Sequence, residues 1–236
     1  MSGTDDDTDA DFMARRDAAR ARLDLLFGSK GGDGDARASW FEAVYEQAAG
    51  DPAAVPWADL KPKAALCDWL TTHPGNGKRA VDIACGLGDN AEAIAASGYV
   101  TTAFDLSKGA IEWARRRFPE SKVDYRQADL FDLPTEWHRS FDLVHECYTV
   151  QALHGQLRNQ AFAAIAELVT PGGTLLVITR VREEGEEVNG PPWPLEPSEL
   201  SRFEAAGLGL VAEKAYDVSR ADRVIPHKML EFRRPE

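Results

Sequence analysis

Three aspartates stand where short apolar runs end or nearly end: Asp82 in Ala80-Val81-Asp82-Ile83, Asp105 after Tyr99 to Phe104, and Asp129 in Gln127-Ala128-Asp129-Leu130. Between the first two lies a glycine turn, Ala84-Cys85-Gly86-Leu87-Gly88-Asp89-Asn90-Ala91. Gly86 and Gly88 let the backbone bend sharply and approach a ligand. A helix opening after such a turn offers free N–H groups and a positive dipole end, which suit an anionic group. Gly86-x-Gly88-x-x-Ala91 by itself also fits a dinucleotide fingerprint. The acids discriminate. A diphosphate gains nothing from a carboxylate at Asp82, whereas an ammonium does. Asp105, roughly 20 residues after the first glycine, stands where an acid can hold ribose hydroxyls, and Asp129 is in reach of an adenine amino group. Each also has a structural explanation as a helix cap or turn residue; their common position at three consecutive strand ends points to one site. Ser107 reads as the N-cap of the next helix.

A second cluster follows the fourth apolar run: His145-Glu146-Cys147-Tyr148-Thr149-Val150-Gln151-Ala152-Leu153-His154. Glu146 is placed to contact a ligand's amino group or to steer a nucleophile, or else to cap a helix. Tyr148 can orient a substrate or simply pack. His145 and His154 are candidate bases, and both can equally be structural. Glu146, Tyr148 and His154 are the catalytic candidates of this segment. Cys147 has no activating partner in the sequence. Trp40 and Trp57 lie in the N-terminal extension, and Trp193 lies in the loop-like segment Asn189-Gly190-Pro191-Pro192-Trp193-Pro194. They fit a cap over a small, partly apolar substrate, or satellite core. Trp69 and Trp113 lie on helical patterns and read as core.

The elements that position these residues follow from periodicity. From Lys78 onward, short apolar runs alternate with helical patterns. Strands are expected at 80–84, 99–104, 122–126, 141–146, 174–179, 208–216 and 227–232. Helices are expected at 90–97, 108–118, 156–169 and 199–206. Alternation of this kind builds a mostly parallel sheet with ligands at its carboxyl edge. Ahead of it, Phe12 to Phe27, Ser39 to Ala49 and Lys61 to Leu70 read as helices. The Asp-rich start is expected to be disordered over residues 1–11, and Gly28 to Asp35 reads as a linker. Residues 12–77 thus form a helical extension or cap, and residues 78–236 the main domain.

The chain has 236 residues, 44% of them hydrophobic, enough for one full-cored α/β domain. Three widely spaced cysteines suit reduced thiols, so a cytoplasmic protein is expected. No C-x-x-C pair or His/Cys cluster suggests a metal, no apolar run is long enough to span a membrane, and the N-terminus lacks a secretory pattern. The net charge of -12 argues against nucleic-acid substrates. Arg115, Arg116 and Arg117 form the longest basic run and read as a solvated helix face.

As a set, these segments resemble class I S-adenosylmethionine-dependent methyltransferases. Val81 to Ala91 resembles motif I. Phe104-Asp105-Leu106-Ser107, Ala128-Asp129-Leu130, Phe141-Asp142-Leu143-Val144 and Pro171 to Leu176 look like the later motifs. The resemblance implies an α/β, Rossmann-like, seven-stranded sheet with its last strand antiparallel, helices on both faces and an N-terminal helical extension. It implies that Asp82 and the turn Ala84, Cys85, Gly86, Leu87 and Gly88 hold the methionine moiety. Asp105 would hold the ribose, and Asp129 with Leu130 the adenine. Asn90, Leu106 and Glu146 complete the expected cofactor-binding set. Ala84 departs from the glycine common at that position. The layout outside the core is similar to bacterial small-molecule methyltransferases of the thiopurine and tellurite-resistance groups. The expected protein methylates an O, N or S atom of a small molecule and releases S-adenosylhomocysteine. A non-catalytic S-adenosylmethionine-binding regulator and a nicotinamide-dependent oxidoreductase are the competing readings, the latter lacking a Tyr-x-x-x-Lys pair. Monomer and homodimer are both open.

Overall fold

The computed structural model describes residues 11–19, 35–188, 190–220 and 223–236. Most of the stretch expected to be disordered and of the linker after residue 27 lies outside them. Asp11 already belongs to a helix, α1 (residues 11–19), and Asp35 opens the next, α2 (Asp35–Ala48). A further helix, α3 (Ala64–Thr72), precedes the sheet.

Seven strands form one sheet in the order β3-β2-β1-β4-β5-β7-β6. They are β1 (Arg79–Ile83), β2 (Val100–Asp105), β3 (Asp124–Gln127), β4 (Phe141–Cys147), β5 (Val169–Arg180), β6 (Gly209–Arg220) and β7 (Arg223–Arg233). The first five pair in parallel, and β7 runs antiparallel to both β5 and β6. This is the expected architecture. Strand β1 is buried from its second residue on, as a central parallel strand covered on both faces must be.

The helices follow local signals. Helix α4 (Asp89–Ala96) starts at Gly88, whose φ of 91° is left-handed, and carries Asp89 and Glu92 in its first turn. Helix α5 (Lys108–Arg117) is capped by Ser107, as expected, with the hydroxyl oxygen accepting the Ala110 N–H, and it ends in three arginines that complement its dipole. Helix α6 (Gly155–Ala166) crosses back before β5. The helix expected at 199–206 is two short pieces, α7 (Pro197–Leu200) and α8 (Arg202–Ala205), separated at Ser201.

Two differences matter for the site. Strand β5 begins earlier than expected because Pro171-Gly172-Gly173 joins it through a register irregularity against β4. The β6–β7 hairpin is longer than its apolar cores predict, with pairing running out to Arg220 and Arg223. Its polar tip carries no apolar period, so sequence periodicity misses it.

The extension shares cores with the main body. Leu66 and Trp69 of α3 pack with Ile94, Leu143 and Leu176. Tyr45 and Ala48 of α2 pack with Leu87, Ala110 and Trp113. No described helix is long and apolar enough to cross a membrane.

Candidate active site

A cavity of about 850 Å³ opens at the carboxyl edge of the sheet. Its floor is the turn after β1, the end of β2, Ala128 and Leu130 after β3, and Cys147 to Thr149 after β4. Helices α1 and α2, the segment 56–63, Pro191-Pro192 and the tip of the β6–β7 hairpin enclose it.

Asp105 lies on the floor and is buried. One carboxylate oxygen accepts the Gly86 N–H at 3.0 Å and the other the Ser107 N–H at 2.9 Å. Burial pushes its pKa up to about 6, with the two N–H donors acting in the opposite direction. Each oxygen retains a second lone pair, so the carboxylate can still receive two ligand hydroxyls. Ala84, Gly86 and Gly88 all have positive φ, at 51°, 53° and 91°. The turn is therefore left-handed at three alternate residues, and alanine at 84 holds a conformation that disfavours a Cβ. A Cβ at Gly86 would stand 3.4 Å from the Tyr45 hydroxyl. Cys85, Leu87, Asn90 and Leu106 also line the cavity, and Asn90 accepts the Lys63 N–H.

Several expected residues stand elsewhere. Asp82 does not line the cavity; it is buried in the sheet opposite His145, whose Nδ1 lies 2.7 Å from its carboxylate. Parallel pairing of β1 with β4 puts the two side chains in register, which turns both inward. His145 is therefore not presented as a base. Glu146 is likewise buried beneath the floor, accepting the N–H groups of Thr149 and Val150. It caps the turn after β4, and burial pushes its pKa up to about 7. Asp129 is engaged by Arg37 of α2, whose Nη2 lies 2.8 Å from both carboxylate oxygens, and is outside the lining. Gly88 is also outside it; a Cβ there would come within 2.4 Å of the Tyr125 hydroxyl, so packing alone demands glycine. His154 is exposed at the start of α6, with its ring 4.9 Å from that of Trp193. Neither lines the cavity. Trp193 is anchored by its N–H to the Gln151 carbonyl, and its own carbonyl accepts from Arg158.

Trp40 and Trp57 do reach the cavity wall, with Phe41 and Tyr45. The Trp57 indole donates to the Tyr45 hydroxyl at 2.8 Å, and its ring centroid is 5.9 Å from that of Trp40. Helix α2 is pinned over the floor by Glu42, whose carboxylate accepts the Ser107 hydroxyl at 2.7 Å and the Gly109 N–H at 3.1 Å.

Tyr148 lines the far end of the cavity with a φ of 67°. A left-handed aromatic residue at a cavity wall is a strained, over-determined position. Its hydroxyl lies 2.8 Å from His227 Nε2, and His227 Nδ1 lies 2.8 Å from the Ile225 carbonyl. A carbonyl only accepts, so Nδ1 carries a proton, and in the uncharged tautomer Nε2 accepts from the Tyr148 hydroxyl. The Lys63 ammonium stands 4.4 Å from the Tyr148 ring centroid and the Arg180 guanidinium 5.8 Å. Burial raises the Cys147 and Cys85 thiols, so neither is a ready thiolate.

His227, Arg37, Glu42, Arg180 and Arg223 escaped the sequence reading. Arg180 alone left a signal, a charge closing the apolar run of β5. The others are joined to the site by contacts across many residues.

The methyltransferase domain family matches residues 80–173. The ubiquinone biosynthesis O-methyltransferase of Aromatoleum aromaticum is 37% identical over 115 residues. That match spans 48% of this chain and 48% of that relative, so the chain spans about half the length of the relative it matches. Among solved structures, N-methyltransferase NodS from Bradyrhizobium japonicum, in complex with S-adenosylhomocysteine, is 20% identical with a TM-score of 0.63. It covers 83% of this chain. A second structure, solved for the conversion of a disulfide bond into a thioacetal group during echinomycin biosynthesis, is covered over 93% of its length. NodS itself is covered over 98% of its length. The second structure is 22% identical, covers 84% of this chain and has a TM-score of 0.67. Residues 80–173 match the methyltransferase domain family, and the strand order and these likenesses give the chain the seven-stranded, Rossmann-like fold of those structures.

Proposed function

We propose that the protein transfers a methyl group from S-adenosylmethionine to an oxygen, nitrogen or sulfur atom of a small molecule. The observation that carries this reading is Asp105, a buried carboxylate at the end of β2 that faces the cavity and is tied to the glycine turn through Gly86. Its two oxygens would take the ribose hydroxyls. Phe104, Ala128 and Leu130 offer an apolar slot for adenine, and the turn from Ala84 to Leu87 presents backbone to the methionine moiety. The residues fit the cofactor except that Asp82 and Asp129 are already engaged. When bound, S-adenosylmethionine supplies a methyl group on an already activated sulfur. The protein's contribution is then chiefly alignment and exclusion of water. The aromatic wall of Trp40, Phe41, Tyr45 and Trp57 supplies the exclusion. Among the described residues no histidine lines the cavity; Tyr148, backed by His227, is the group that would orient the acceptor.

A small molecule is favoured over nucleic acid. The net charge is -12, and two arginines of the basic run are engaged within the chain, Arg115 by the Tyr125 carbonyl and Arg117 by Asp89 at 2.8 Å. The three free cysteines support a reducing, cytoplasmic setting.

Calorimetric titration with S-adenosylmethionine and S-adenosylhomocysteine, with NAD as control, tests the reading. Micromolar binding of the first two and none of NAD is expected; NAD binding alone would overturn it. Asp105→Ala should weaken cofactor binding by about 1.5–3 kcal/mol through loss of charge-assisted hydrogen bonds. Unchanged affinity in a folded variant would sink the ribose assignment. Cofactor binding without product from any acceptor would favour a non-catalytic binder.

A further inference from the structure

Helix α2 brings one hydroxyl to the glycine turn. Tyr45 is buried and shares a core with Leu87, Ala110 and Trp113, so its phenol is held by packing. Tyr45 and Trp57 both line the cavity. A Cβ built on Gly86 would stand 3.4 Å from the Tyr45 hydroxyl oxygen and 4.0 Å from Trp57 Cδ1. The hydroxyl therefore sits against the turn after β1, on the side where a side chain at Gly86 would be.

Its bonding is half complete. An indole N–H only donates, so in the 2.8 Å contact with Trp57 the Tyr45 oxygen is the acceptor. Among the described residues the phenol's own proton has no acceptor. Burial, and after it the nearby Asp105 carboxylate, push the phenol's pKa up, so it keeps that proton and remains a donor. The bond received from Trp57 fixes the oxygen and polarises its O–H. A buried donor left without a partner carries a cost that a ligand acceptor removes.

Resting on the methyltransferase reading above, we infer that Tyr45 belongs to the cofactor site and donates its hydroxyl proton to the carboxylate of the methionine moiety. The other ends of the cofactor are provided for: Asp105 takes the ribose hydroxyls, and Phe104, Ala128 and Leu130 the adenine. The methionine moiety lies over the turn. Its ammonium is itself a donor and gains nothing from a second donor, whereas its carboxylate only accepts. The Gly86 N–H that could otherwise meet that carboxylate is given to Asp105. An O–H donated to a carboxylate is a charge-assisted bond, stronger than a neutral one. Helix α2, tied to Ser107 and Gly109 through Glu42, is then part of the cofactor site and not merely a cover over the acceptor.

Calorimetry compares two ligands on the unsubstituted protein and on Tyr45→Phe. One is S-adenosylhomocysteine. The other is its decarboxylated analogue, which keeps the nucleoside, the sulfur and the ammonium; where it binds weakly, its displacement of S-adenosylhomocysteine is measured instead. Tyr45→Phe should cut S-adenosylhomocysteine affinity about tenfold and change affinity for the analogue by less than about twofold. Thermal unfolding without ligand checks that the variant is folded. Trp57→Phe keeps a ring but removes the N–H that fixes the hydroxyl; it should cost about threefold on S-adenosylhomocysteine with the same indifference of the analogue, and it carries the test if Tyr45→Phe does not fold. No loss in the folded variant, or an equal loss for both ligands, would overturn the inference, since a merely structural tyrosine cannot tell the two ligands apart. Failure of the unsubstituted protein to bind S-adenosylhomocysteine would sink the methyltransferase reading itself, and this inference with it.

Discussion

At the scale of single residues, two buried carboxylates near the cavity have opposite consequences for pH. Asp105 faces the cavity with its pKa pushed up to about 6, and the proposed ribose contact requires its ionised form. Affinity for S-adenosylhomocysteine should therefore fall about tenfold from pH 8 to pH 5, as the carboxylate takes up a proton. Calorimetry across that range checks this, and Asp105→Asn should flatten the profile while weakening binding throughout. Glu146 is buried beneath the floor with its pKa pushed up to about 7 from 4.5. For an acid raised by folding, the folded state binds more protons, so its contribution favours the fold at low pH and is lost as pH rises from about 4.5 to about 7. The unsubstituted protein should lose about 1–3 kcal/mol relative to Glu146→Gln between pH 5 and pH 8. Urea unfolding midpoints measure the difference; parallel pH profiles would refute it. Ala84 shows the same economy of position: the turn requires a left-handed φ, and alanine is the smallest side chain that tolerates it.

At the scale of elements, Glu42 is one of the polar ties that hold α2 over the floor, with Arg37 to Asp129 the other described above. Glu42 of α2 receives the hydroxyl of Ser107 and the N–H of Gly109 at the start of α5, beside the turn that would bind the cofactor. Glu42→Ala leaves those donors without this partner and should cost about 1–3 kcal/mol. Because α2 also carries Trp40 and Tyr45 to the cavity wall, its loosening should weaken S-adenosylhomocysteine binding as well. The exposed neighbour Glu46→Ala is the control and should change stability by less than about 0.5 kcal/mol. Equal effects of the two substitutions would show that Glu42 does not hold the cap. The segment before α7 is held separately: Arg158 pairs with Glu199 at 2.6 Å and donates to the Trp193 carbonyl. That anchoring explains why Trp193 sits outside the cavity while Pro191 and Pro192 reach it.

At the scale of the whole molecule, the cavity is walled by residues from Met13 to Ile225, so the N-terminal helices and the last hairpin both line it. Ligand binding should then stabilise the fold as a unit. S-adenosylhomocysteine at about 100 times its Kd adds about 2.7 kcal/mol, which for a chain of this size is a rise of about 5–10 °C in Tm. Differential scanning calorimetry tests it. A biphasic transition, with only one phase responding, would mean that cap and body fold as independent units.

The order of strands and helices, the glycine turn and the position of Asp105 were legible in the sequence alone. These features are local: an apolar run, a helical period, a glycine or a capping serine declares itself within a few residues, and a parallel sheet permits few ways to arrange them. What the polar side chains do was decided by tertiary structure. Asp82 meets His145 because β1 and β4 pair in one register; Asp129 meets Arg37 because α2 folds over the sheet edge; Tyr148 meets His227 because β7 inserts beside β5. In each case the partners lie more than 60 residues apart. A carboxylate or phenol bonds to whichever complementary group the fold delivers, and that delivery is a property of packing rather than of spacing along the chain.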